Sequence, residues 1–289
     1  MIRLQTTVET GRSRIGISRQ DKILVIGSCF ADTIGLRLKN CGLDVVVNPF
    51  GTQYNPVSVF NSMARLSSGI PFTKDDCVEM GAGAGLVCAF SHHTSFARKT
   101  QEEFLENANK ELGAACAFFK ECNKVIITLG TSWVFKWKET GDVVSNCLKL
   151  DAKGFLREQL SISQVEMTLI GMLRSWPDKE FIFTVSPIRH MSDGAHGNQV
   201  SKARLLMAVD RACDSFPEKC EYFPAYEIML DELRDYRFYA EDLCHPSSLA
   251  QEIIWERFLD FAVSPEDREA METAEKQYRR ALHIPHQKG

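Results

Sequence analysis

The stretch that most constrains the fold is Lys22 to Asn40, KILVIGSCFADTIGLRLKN. Ile23, Leu24, Val25 and Ile26 make a short, β-branched apolar run, the pattern of a strand buried on both faces. It runs through Gly27, Ser28 and Cys29 straight into a helix that carries Ile34, Leu36 and Leu38 as apolar surface and stops near Gly42, a residue suited to the position just past a helix end. Strand, tight polar turn and helix together give Ser28 two addresses at once. It stands at the carboxyl end of a parallel strand, where open α/β sheets collect ligands, and at a helix N-terminus, whose free N–H groups favour developing negative charge. Read alone, the stretch leaves Ser28 two roles, nucleophile or helix cap.

The alternation continues along the chain. Asp44 to Val47, Lys124 to Leu129, Glu180 to Val185 and Glu221 to Phe223 read as further strands. Helix starts are marked by Asn55-Pro56, by Thr100 with Glu103 as a capping box, by Ser161, near Gln199 and at Pro246. The predicted class is α/β: a three-layer α/β/α fold around a central, mostly parallel five-stranded sheet of flavodoxin-like type. Hairpins are expected around Gly81 to Gly85 and around Thr140-Gly141, the latter with Trp133 and Trp137 on one face, lining a substrate cleft or packing within the hairpin. The GAGAG run lacks the lysine and the strand-loop-helix setting of a phosphate loop. The organisation expected is one domain over 1–289, with its core at about 15–262, an insertion at about 70–123, and a C-terminal helix at about 264–283 docking through Ala270, Ala274, Tyr278 and Leu282.

Composition narrows the function. The net charge of −4, with no clustered lysines and arginines, argues against a nucleic-acid partner. No apolar run approaches the ~20 residues of a membrane-spanning helix, and MIRLQTTVETGRSR has no apolar signal core, so a cytoplasmic protein is expected. Ten cysteines without CxxC spacing read as reduced, mostly buried thiols, with neither a metal site nor a cofactor expected.

The polar segments that follow the strands converge on one sheet edge: NPFGTQYNP after the second, Gly130-Thr131-Ser132 after the third, SPIRHMSDGAHGN after the fourth. Arg189 and His190 in the last of these suit either an anionic substrate group or a tie to nearby carboxylates, while His92 and His93 read as surface loop residues. Late in the chain Asp242-Leu243-Cys244-His245 stands at the head of the final core helix. A serine nucleophile needs a base for its proton, and the base needs an acid to hold its tautomer. Ser28, His245 and Asp242 fill those roles.

That combination resembles the SGNH, or GDSL-like, hydrolases, with a GDS-type block after the first strand and a terminal DxxH. GSCFA, NPFGTQYNP, LGTSWVF, NCLKL, SPIRH, SKARLL, YFPAYEIMLDELRDYRFYAEDL and HPSS look more narrowly like the GSCFA domain family, over about 15–261. Members are mostly bacterial, with unsettled substrates. The resemblance implies an SGNH-like fold and ester chemistry through an acyl-enzyme on Ser28, hydrolysing or transferring an acyl group of a small-molecule or carbohydrate ester. It also implies His245 as base, Asp242 as acid, and the N–H groups of Gly51 and Ser28 as an oxyanion hole. The superfamily's third block normally holds an Asn where this chain has Gly130-Thr131-Ser132. Losing such a donor costs about 3 kcal/mol of transition-state stabilisation unless Asn48, Asn55, Thr131 or Ser132 replaces it. The missing Asn also supports an alternative, a non-catalytic module that binds a glycan or acylated ligand. Cys29 raises the question of which neighbour attacks; its side chain is expected to point away from that of Ser28.

Overall fold

The computed structural model describes residues 6–283. Five parallel strands form the central sheet: β1 (Lys22–Gly27), β2 (Asp44–Val47), β5 (Lys124–Leu129), β9 (Glu180–Val185) and β10 (Cys220–Phe223). Their spatial order is β2-β1-β5-β9-β10. The chain leaves β1 for one neighbour and returns to the other, so the order reverses between β1 and β5, where open α/β sheets leave a crevice.

The period of two along β1 divides the core. Leu24 and Ile26 face one side of the sheet with Val125, Ile127, Phe181 and Phe183; Ile23 and Val25 face the other with Ile126, Ile182 and Phe223. The first side is covered by α2 (Pro56–Ser68), α3 (Gln101–Glu121), α4 (Ile162–Ser175) and α5 (Gly194–Ser215). The second is covered by α1 (Cys29–Asn40), the short α6 (Ala225–Glu227) with its π-helical continuation Ile228–Glu232, α7 (Ser248–Ala262) and α8 (Pro265–His283). Each large apolar side chain fully buried this way is worth about 1.5–3 kcal/mol. Polar caps set the helix starts: Asn55 and Ser161 accept from the backbone three residues on, and Ser161 completes a capping box with Gln164. Thr100 makes half of its expected box, because the Glu103 carboxylate takes the N–H of Lys99 instead.

Two small antiparallel sheets lie outside the core. One is the hairpin β3 (Val78–Glu79) with β4 (Val87–Cys88); the other joins β6 (Trp133–Trp137) to β7 (Val143–Val144) and to β8 (Phe155–Gln159). Both hairpins are where the turn residues placed them. β8 has no counterpart in the sequence reading, since FLREQ is short and mostly polar. Residues 70–123 hold the β3–β4 hairpin and α3, which buries Phe104, Ala108 and Leu112 in the core on the way from β2 to β5. Along α8 the fully buried side chain is Met271, beside the half-buried Ala270 and Ala274; Tyr278 is exposed, and the side chain of Leu282 lies outside the described residues. Among the described residues no helix is long and apolar enough to cross a membrane, and no two cysteines are joined in a disulfide.

Candidate active site

Ser28 directly follows β1 and serves as the N-cap position of α1, with its side chain making no capping bond. Its N–H donates to the Thr128 carbonyl at 3.0 Å, which continues the β1–β5 pairing past Gly27. Gly27 permits this close approach, since at its φ of 140° a Cβ would lie 2.1 Å from the Thr128 oxygen. The outcome is a Ser28 side chain turned inward. Its hydroxyl is buried and has no hydrogen-bond partner among the described residues, His245 included.

The next residue faces the other way. Cys29 begins α1, and its Sγ approaches His245 Nε2 to 3.9 Å. On the far side of the imidazole, Nδ1 meets Asp242 Oδ2 at 2.5 Å. Asp242 Oδ1 accepts the N–H groups of Cys244 and His245, both at 2.9 Å, so the carboxylate is clamped by its own turn before it reaches the ring. Those two backbone N–H groups, then the ring, hold the Asp242 carboxyl down at about 2, and it stays ionised through neutral pH. Leu243 sits at φ 57°, a left-handed conformation that a leucine rarely adopts, and this tightens the turn. Asp242 and His245 are thus brought together, and the side chain that meets His245 is that of Cys29, not that of Ser28.

The surroundings of the thiol pull in both directions. Burial pushes the Cys29 thiol up, with the Asp32 carboxylate adding to the rise, while the Cys29 N–H, the Tyr54 hydroxyl and the Lys202 ammonium oppose it. Lys202 itself is wholly buried beneath this corner, donates to the Ser186 carbonyl at 2.8 Å, and is pushed down to about 7 by burial. It belongs to the SKARLL run, to which the sequence alone assigned no role.

The expected oxyanion donors fare unevenly. The Gly51 N–H is engaged by the Asn48 carbonyl at 2.7 Å, and the Gly130 and Thr131 N–H groups by the Tyr54 carbonyl at 2.8 and 2.9 Å. At Gly51 the glycine is required for another reason, because a Cβ would fall 2.2 Å from the His93 Cβ. Asn48 accepts from the Gly27 N–H and donates to Asp32, tying β1 to α1. Ser132 is buried and bonded to Ser201, which also meets the Thr131 hydroxyl. Asn55 remains: it lines the cleft, and one hydrogen of its amide goes to Ser58 Oγ. Since a primary amide has two hydrogens and the first amides of a helix lack intrahelical partners, Asn55 Nδ2 and the Cys29 N–H each keep a donor hydrogen, on two residues that line the same cleft.

A cleft of about 690 Å³ opens over Cys29 and His245 and is lined by Tyr54, Trp133, Phe135, Arg189 and His190 among others. His190 is kept neutral, pushed down to about 4 by burial and the nearby Lys202. Trp133 lies on this cleft, while Trp137 packs between Phe90 and Phe155. His92, expected on the surface, is fully buried among Phe50, Phe72, Phe96 and Phe104. No group of three or more metal-ligating side chains stands together among the described residues.

The family model described as the GSCFA family matches residues 22–258, which takes in Cys29, Asp242 and His245. The chain belongs to the GSCFA family. No curated protein matches it. Among solved structures, this GSCFA chain is similar to an alpha/beta hydrolase enzyme from the metagenome of Lake Arreo, at 14% identity and a TM-score of 0.38 over 90% of this chain and 99% of that one. A carbohydrate esterase family 2 enzyme with a carbohydrate-binding domain from Corynascus thermopiles (Myceliophthora fergusii) gives the same identity and score over 89% and 67%. An acetyl xylan esterase from the rumen bacterium Butyrivibrio proteoclasticus gives 13% and 0.32 over 91% and 64%. Likenesses this distant carry no argument about the site, so its chemistry rests on its own geometry.

Proposed function

We propose that this protein is a cysteine-dependent acyl-ester hydrolase or acyltransferase in which Cys29, His245 and Asp242 act as nucleophile, base and acid. The observation that carries the reading is the 3.9 Å approach of Cys29 Sγ to His245 Nε2, with Asp242 at 2.5 Å on the other ring nitrogen. Asp242 holds the proton on Nδ1 and leaves the Nε2 lone pair toward the thiol. As Sγ attacks the ester carbonyl, its proton passes to Nε2, and the new oxyanion meets the Cys29 N–H and Asn55 Nδ2. The tetrahedral intermediate collapses by breaking the carbonyl carbon to alkoxy oxygen bond, and His245 returns the proton to the leaving alcohol. Water, or an alcohol such as a sugar hydroxyl, then attacks the thioester with His245 again as base and restores the thiol. A cleft of about 690 Å³ fits a small substrate.

The test is turnover of p-nitrophenyl acetate. Cys29→Ala is expected to lower kcat/KM by about a thousandfold or more, and Ser28→Ala by less than about threefold. An activity that depends on Ser28 and survives Cys29→Ala overturns the assignment. Glycerol or a free sugar added as acceptor separates transfer from hydrolysis by the appearance of the acylated acceptor.

A further inference from the structure

The cleft holds two arginines in opposite circumstances. Arg157 is satisfied: its guanidinium lies 3.9 Å over the Trp133 ring and makes two bonds to Asp193, at 2.6 and 2.7 Å. Arg189 stacks 4.8 Å over the Tyr239 ring, yet its side chain makes no hydrogen bond or ion pair among the described residues, and its Nε is buried without an acceptor. Of the fully charged side chains on the cleft wall, Arg157 and Asp193 cancel, and Arg189 is left. Trp133 Nε1 is a second buried donor on the same wall without a partner among the described residues. A buried donor left unmade costs about 1–3 kcal/mol, more when charged, so both mark places where a ligand supplies acceptors.

Arg189 is also held in place. Its backbone N–H donates to the Cys244 carbonyl at 3.1 Å, which fastens the loop after β9 to the Asp242–His245 turn. Tyr239, the ring beneath it, lies three residues before Asp242, and Ala240 N–H bonds the His245 carbonyl. One stretch of chain therefore positions both the base and the support of the arginine. A planar guanidinium fixed by stacking on the cleft wall, with no carboxylate of the described residues paired to it, matches the two oxygens of a ligand carboxylate.

Resting on the reading of the cleft as an acyl-transfer site, we infer that the substrate carries a carboxylate, bound by Arg189 beside the reacting ester. The inference needs only binding, so its test does not depend on turnover. N-phenylsuccinamic acid and its neutral analogue N-phenylsuccinamide, whose amide bonds resist acyl transfer, are titrated calorimetrically into the Cys29→Ala protein. The acid is expected to bind at least tenfold tighter than the amide. Arg189→Gln in the same background erases the difference, and Arg189→Lys, which keeps the charge without the fork, restores only part of it. Equal binding of acid and amide to the Cys29→Ala protein overturns the inference without any need of the Arg189 variants, as does a preference that survives Arg189→Gln in protein of unchanged thermal melt. In parallel, wild-type turnover of p-nitrophenyl hemisuccinate is compared with that of p-nitrophenyl acetate. Selective binding of the acid without turnover of either ester contradicts the catalytic reading and upholds carboxylate recognition; turnover without selectivity does the reverse.

Discussion

The carboxyl ends of β1 and β5 are neighbours in the sheet, and each closes in a short run of small polar residues: Gly27-Ser28-Cys29 in one, Gly130-Thr131-Ser132 in the other. They differ in what their hydrogen bonding leaves over. At the β5 end the Gly130 and Thr131 amides are engaged by the Tyr54 carbonyl, and the Thr131 and Ser132 hydroxyls by Ser201. At the β1 end the turn is held through Gly27 N–H to Asn48 Oδ1 and Ser28 N–H to the Thr128 carbonyl, and the thiol of Cys29 is left facing His245. Polar residues at a strand end therefore do not by themselves make a site. What sets the β1 end apart is a thiol that faces a titratable ring on an open cleft, whereas the β5 polar groups are bonded into the scaffold.

The two ends should respond to substitution in opposite ways. Gly27→Ala attacks their common support: the added Cβ overlaps the Thr128 carbonyl, and a loss of about 3 kcal/mol or more is expected in denaturant unfolding. A loss below 1 kcal/mol would mean that the β1 end has more freedom than its geometry implies. Asp242→Asn removes the charge that supports the base, and kcat/KM for p-nitrophenyl acetate should fall by about a hundredfold with little change in unfolding free energy. Ser201→Ala does the converse. Deleting the hydroxyl shared by Thr131 and Ser132 should cost about 1–3 kcal/mol of stability while kcat/KM stays within about threefold.

A smaller effect extends the comparison to the end of β9. His190 is held at about 4 in the fold, below the ordinary value near 6.5, so the unfolded chain takes up a proton first as pH falls. Its contribution to stability is complete above about pH 6.5 and is lost progressively toward pH 4. At pH 5.5 the loss should be about 1 kcal/mol, read as the difference between urea midpoints of the wild type and His190→Gln at pH 7 and 5.5.

Much of the scaffold was legible in the sequence because it rests on local rules. Apolar runs gave the five parallel strands, and Asn55 and Ser161 marked their helices by capping chemistry. The pairing of Asp242 with His245 was legible for the same reason, being closed within four residues by backbone hydrogen bonds. The choice between Ser28 and Cys29 was not. At a strand-to-helix turn, adjacent side chains diverge, and which of them meets a base more than two hundred residues away is set by where Gly27 docks on Thr128. The N–H groups of Gly51 and Ser28, expected as an oxyanion hole, are engaged instead by the Asn48 and Thr128 carbonyls, partners that only the folded chain supplies. His92 read as a loop residue because its aromatic surroundings come from four separated phenylalanines.

The central claim is that the side chain attacked into service at the end of β1 is the thiol of Cys29. The most direct measurement is acid quenching of the protein during turnover of p-nitrophenyl acetate, followed by intact-mass and peptide mass spectrometry of the acyl adduct. A thioester on Cys29, absent from His245→Ala, is the predicted result. An oxygen ester on Ser28 would contradict it.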